Sequence, residues 1–181
     1  MEVRKMLKYI EEVLKNMPSE WLSLTTHRLD IYDEKLAKAQ FLSQFEDLFN
    51  DNNSEASALN DLPTAYDYIR LGHPLSCVLE WVVASSNGLK PENVICFSSK
   101  TIPILAILRK NLLANKNTQI VYSDDLPDFF DAEVLRSVYG YKFELRRVEN
   151  AEAISQFNGT TIFVSHRDGM SSLNLTSTID F

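Results

Sequence analysis

The chain has 181 residues, of which 45% are hydrophobic and 24% charged, enough for a real core in one domain, or in one domain with a helical arm. Its formal net charge of −7 argues against nucleic acid as the main partner, because phosphate backbones need a basic face, and against docking on an anionic membrane surface. No run approaches the roughly 18 apolar residues of a membrane helix, and the only two cysteines, Cys77 and Cys96, sit in apolar runs as small core residues of a reducing, cytoplasmic protein.

Residues 2–17 carry Val3, Met6, Leu7, Ile10, Val13, Leu14 and Met17 on one face and Arg4, Lys5, Lys8, Glu11, Glu12 and Lys15 on the other. That 3.6-residue period predicts an amphipathic helix, stopped by Pro18. Its apolar face needs a partner, either the core of this chain or the same face on a second copy, so a homodimer is expected. Residues 19–32 are open between loop and short helix. Asp33–Phe49 reads as a second helix with Leu36, Phe41, Leu42, Phe45 and Phe49 in its stripe. The polar stretch 50–57 is the expected mobile linker or surface loop.

Tyr66, Tyr68, Arg70 and His73 crowd together before Pro74, which suits the first turn of a helix running to about Ser85. Asn87-Gly88 supplies its stop. From Leu89 onward strand and helix signals alternate: strand Val94–Phe97, helix Ile102–Leu113, strand Gln119–Tyr122, helix Asp131–Tyr139, strand Lys142–Arg147, helix Ala151–Phe157, strand Thr160–Ser165. Repeated β-α-β units predict an α/β fold, a mainly parallel sheet flanked by helices, with an α-helical N-terminal arm over residues 1–60 and an α/β domain over 61–181.

The central stretch is Val94–Phe97 followed by Ser98-Ser99-Lys100-Thr101 and the apolar helix from Ile102. A strand that turns into a helix through small hydroxyl residues presents backbone N–H groups to an anion, usually a phosphate. The same residues also serve as ordinary helix caps. Tyr122 ends a strand, where α/β sheets place ligands and where a ring can stack. His166 and Asp168 follow another strand end, His166 as acid, base or stacking ring and Asp168 as partner to a ring nitrogen; turn chemistry at Asp168-Gly169 is the alternative. Asp124, Asp125 and Asp128 form an acidic cluster better read as a solvated loop than as a metal site. There is no CxxC, HExxH, P-loop, GxGxxG or G-x-S-x-G pattern.

The run Gly88-Leu89-Lys90-Pro91-Glu92-Asn93-Val94-Ile95 resembles the lead-in of fold-type I enzymes that use pyridoxal phosphate, the aminotransferase superfamily. Val138-Tyr139-Gly140-Tyr141 and Thr161-Ile162-Phe163-Val164-Ser165-His166 stand where that family has a Tyr-Gly pair before a strand and a later strand end facing the pyridine ring. The resemblance covers roughly residues 60–170, by order and spacing more than by identity. It implies a phosphate cup at Ser98, Ser99, Lys100 and Thr101, and ring contacts from Tyr122, His166 and Asp168. Ser98 replaces the usual glycine of the cup, and His166-Arg167-Asp168-Gly169 replaces the usual asparagine-proline loop. The family's Schiff-base lysine lies further along than Phe181. The expectation is therefore an aminotransferase-like protein that is a fragment or degenerate member, and a transferase only if the chain continues. The alternative is a non-catalytic α/β module for protein interaction or for binding a small anion.

Overall fold

A computed structural model of the chain describes residues 3–22, 34–63, 73–166 and 176–181, with the side chains of 34–37 left aside. The protein is mixed α/β, with a small parallel sheet flanked by helices and an N-terminal helix. It divides into two compact units, Met1–Cys96 and Phe97–Phe181. The helix that starts at Pro74 thus belongs with the helical part.

In the first unit the described helices are α1 (Val3–Asn16), α2 (Glu34–Asn50), α3 (Ala56–Asn60) and α4 (Pro74–Ser86), with single 3-10 turns at Ser19–Leu22 and Pro91–Asn93. The core is aromatic. Phe45 and Phe49 from α2 meet Trp81 from α4 edge-on at 5.4 and 5.3 Å, and Tyr9 from α1 closes over the same two rings at 5.9 and 5.2 Å. Such pairs add to the burial free energy by roughly 0.5–1.5 kcal/mol each. The Tyr9 hydroxyl donates to the Asn53 carbonyl at 2.9 Å, and desolvation pushes its pKa up to about 12.

The polar stretch after α2 is a built turn, not a loose linker. Asn52 takes the left-handed conformation (φ 52°), the Asn53 N–H reaches back to the Leu48 carbonyl, and the Asn52 N–H to that of Phe49. This pattern satisfies the orphan carbonyls of a helix end. The same device ends α4 at Gly88, as the Asn-Gly pair predicts. At the other end of α4, Pro74 occupies the first turn and His73 caps it, its Nδ1 accepting from the Leu75 N–H at 3.1 Å.

Val94–Phe97, expected as a buried strand, is not one. The Cys96 N–H donates to Glu80 Oε1 at 2.7 Å, Ile95 is 68% exposed and Phe97 is exposed. The Val94 N–H donates to the Pro91 carbonyl of the preceding turn at 3.1 Å, and among the described residues no strand pairs with the segment, so nothing holds it in strand geometry. Glu80 is itself buried and forms a close ion pair with Lys38 from α2. Cys77, one turn earlier on α4, is buried as expected, and burial pushes its thiol up to about 12. Cys96 is only half-buried.

The second unit contains α5 (Ile102–Leu113), β1 (Thr118–Tyr122), α6 (Ala132–Ser137), β2 (Glu144–Arg147), a 3-10 turn at Ala151–Ala153 and β3 (Thr160–Val164). The three strands are parallel in the order β2-β1-β3. In β1, Ile120 and Val121 point to opposite faces and both are fully buried. Ile120 packs with Ile104 and Leu108 of α5 and Leu135 of α6, while Val121 packs with Ala151 and Ile154. A strand covered on both faces reads as an apolar run without alternation, which is why it was legible.

The helix expected over Ala151–Phe157 shrinks to one 3-10 turn, capped by Asn150, whose Oδ1 accepts from the Ala153 N–H at 3.1 Å. The chain must cross β1 and reach β3 within a few residues, and Ile154 already adopts an extended conformation to do so. At the entry to β3, a Cβ on Gly159 would lie 2.5 Å from the Asn117 carbonyl oxygen, so only glycine fits. Residues 176–181 run along the outer edge of β3: the Phe163 N–H donates to the Phe181 carbonyl at 2.9 Å, and the Asp180 N–H to that of Thr161 at 3.0 Å. Among the described residues, no helix is long and apolar enough to cross a membrane.

Candidate functional site

The strand order creates the site. From β1 the chain moves to β2 on one side, and from β2 it crosses back over β1 to β3 on the other. In open parallel sheets the crevice for a ligand lies outside the carboxyl ends of the strands where the order reverses, here between β1 and β3. A cleft of about 670 Å³ opens at that point. Its walls are the residues after β1 (Asp124, Asp125, Leu126, Pro127, Asp128), Arg147 at the end of β2, and Val164, Ser165 and His166 at the end of β3. Lys100 lines it from the turn before α5.

The floor of the crevice is stitched. Asp124 Oδ2 accepts from the His166 N–H at 2.9 Å and from the Ser123 hydroxyl at 2.9 Å, and the Ser123 N–H donates to the Val164 carbonyl at 3.2 Å. The His166 N–H, then the Ser123 hydroxyl, hold the Asp124 carboxyl below its ordinary pKa. Arg147 approaches Asp125 at 3.9 Å with both side chains largely in solvent, a pair of little energetic weight. The cleft is open and of mixed charge: two fixed cations, a histidine and three carboxylates. That set suits a polar ligand more than a hydrophobic one.

Of the residues singled out in the sequence, Lys100 and His166 meet in this cleft. Ser98 is exposed outside it. The Ser99 hydroxyl accepts from the N–H groups of Thr101 at 3.2 Å and Ile102 at 3.4 Å, and Pro103, next in α5, has no N–H to offer. Two of the donors that would hold a phosphate are therefore taken by the turn's own serine, so the cup as built does not fit one. Thr101 faces a separate hollow of about 290 Å³ with Leu105, Phe129 and Tyr139. Tyr122 ends β1, half-buried, its carbonyl accepting from the Val148 N–H at 2.9 Å, and does not line the cleft. Asp168 lies outside the described residues, as do Tyr66 and Tyr68.

Arg147 is the residue that sequence reasoning missed. The available signal was its place as last residue of a strand in a parallel sheet, which puts it on the ligand edge. His73, one of the polar residues that crowd before Pro74, is a helix cap. Among the described residues, no group of three His, Cys, Asp or Glu side chains is placed to hold a metal ion. Comparison with known proteins finds no family model, no curated protein and no solved structure that matches this chain.

Proposed function

We propose that the Phe97–Phe181 unit binds a small anionic molecule at the carboxyl edge of its sheet, and that it does so as a degenerate relative of the pyridoxal phosphate enzymes. The observation that carries this is the convergence of Lys100, Arg147 and His166 on one cleft at the reversal of strand order. The anionic group sits against Lys100 and Arg147, because the Ser98–Thr101 turn closes on itself through Ser99. Pyridoxal phosphate is the ligand that the resemblance nominates, and the proposed activity is binding only.

The test is a titration of the purified chain with pyridoxal phosphate and, separately, with inorganic phosphate, following visible absorbance and thermal midpoint. Saturable uptake that is lost in both Lys100→Ala and Arg147→Ala supports the reading. No spectral change and no thermal shift at millimolar ligand ends it for this chain.

A second reading rests on a different observation. On α1, Met6, Tyr9 and Val13 are buried, while Val3, Leu7 and Leu14 stay 40%, 39% and 48% exposed. A helix with an apolar stripe left over after its core face is covered suits an interaction module, with a second copy of the chain as partner. A single species of monomer mass at all concentrations by light scattering ends this reading.

A further inference from the structure

We infer that two copies of the chain pair through α1 in an antiparallel sense, with Arg4 of each copy facing Glu11 of the other; the inference rests on the self-association reading and specifies its geometry. At 100° per residue, Val3, Leu7, Ile10 and Leu14 fall within an arc of about 60°. Met6 and Val13, both buried, border this stripe on one side. Glu11 and Arg4, both exposed, border it on the other, with Lys15 and Lys8 just beyond. The stripe is therefore the outer continuation of the core face, and its solvent border is charged.

The charges run in a gradient. Arg4, Lys5 and Lys8 occupy the first half of α1, and Glu11 and Glu12 the second. Lys15 at the far end is paired to Glu12 at 2.7 Å. A parallel two-fold pair would set the Arg4–Glu11 flank of one copy against the opposite flank of the other, where Met6 and Val13 are already buried and no exposed charge answers it. An antiparallel pair reverses one gradient over the other. Val3 then lies opposite Leu14, Leu7 opposite Ile10, and Arg4 beside Glu11, each contact occurring twice by the two-fold axis. Opposed helix dipoles favour the same sense. A free, strongly anionic lipid surface is the poorer partner, because Glu11 borders the stripe and the chain carries a net charge of −7. A 14-residue helix is about 21 Å long, and one such face buries less than the ~1,200 Å² of a standard stable interface, so the dimer is weak and concentration-dependent.

The experiment is sedimentation equilibrium on the full chain, low salt, over a wide concentration range, for the native sequence, Arg4→Glu, Glu11→Lys and the double variant. Both positions are exposed, and Arg4→Glu places an acid in the first turn, where it favours the helix, so folding is preserved and is checked by thermal midpoint. The expected result is a native dimer, about tenfold weakening in each single variant, and recovery in the double variant. In a parallel two-fold pair Arg4 and Glu11 do not face each other, so a native dimer with unaffected single variants overturns the antiparallel geometry while leaving self-association standing. A native chain that stays monomeric throughout overturns both. Binding of the monomer to phosphatidylserine vesicles, lost in Leu7→Ser, also overturns it, by assigning the stripe to a membrane.

Discussion

The carboxylate of Asp124 holds the backbone N–H of His166 at 2.9 Å, joining the end of β1 to the chain leaving β3 across the crevice where a parallel sheet receives ligands. The bond decides where the walls of the cleft stand. Asp124→Ala is expected to speed amide hydrogen exchange at His166 and Ser123 while leaving the global midpoint nearly unchanged. The folded-state pKa of Asp124 is depressed, so the bond's contribution is present above the ordinary carboxylate range and is lost as pH falls through the folded value. Protection of the His166 amide relative to its intrinsic exchange rate should therefore fall specifically in acid, and a pH-independent difference from the variant would contradict this.

Lys38 and Glu80 form the buried ion pair of the helical unit, and Glu80 also accepts the Cys96 N–H. Lys38→Met leaves a buried carboxylate without its cation, at a cost of about 3 kcal/mol in urea unfolding. Pairing it with Glu80→Leu should recover much of that loss, since the uncompensated charge is then gone.

His73 accepts the Leu75 N–H with Nδ1, and desolvation holds its pKa below the ordinary value. A histidine depressed on folding contributes stability that is present above its unfolded pKa, near 6.5, and is lost as pH falls below it. Protonation also removes the acceptor that caps α4. His73→Asn, which caps without titrating, is expected to flatten the stability profile between pH 7 and pH 5.

Gly159 has no room for a side chain, because a Cβ would meet the Asn117 carbonyl and the Phe157 ring at 2.5 and 2.6 Å. Gly159→Ala should destabilise by about 1–3 kcal/mol, through a backbone shift at the entry to β3.

Thr160 Oγ1 is a buried hydroxyl with no hydrogen-bond partner among the described residues, on a residue 1% exposed. Thr160→Val keeps the shape and removes the desolvation cost, so a rise of up to about 1 kcal/mol in unfolding free energy is expected. A loss of stability would indicate that the hydroxyl is satisfied in solution.

Local patterning made much of the chain legible. The 3.6-residue period of α1 and α5, Pro74 and Gly88 at the two ends of α4, and the apolar run of β1 are each recorded in a few neighbouring residues. Val94–Phe97 misled because an apolar run states only that a segment seeks cover. Whether it becomes a strand depends on a backbone partner, and here a carboxylate from α4, 16 residues away, took the N–H instead. At the site, Lys100 and His166 were legible as residues near element ends; Arg147 also ends an expected strand, and the strand order is what ties that end to the same cleft.

The amino-acid sequence by itself determined the N-terminal helix and the α/β class, because periodicity is a property of neighbours. Only the tertiary structure decided that β1 lies between β2 and β3, and that α1 buries Met6, Tyr9 and Val13 while leaving Val3, Leu7 and Leu14 outside. These depend on which distant surfaces compete for the same hydrogen bond or the same apolar face, and that competition is settled by packing across the chain rather than along it.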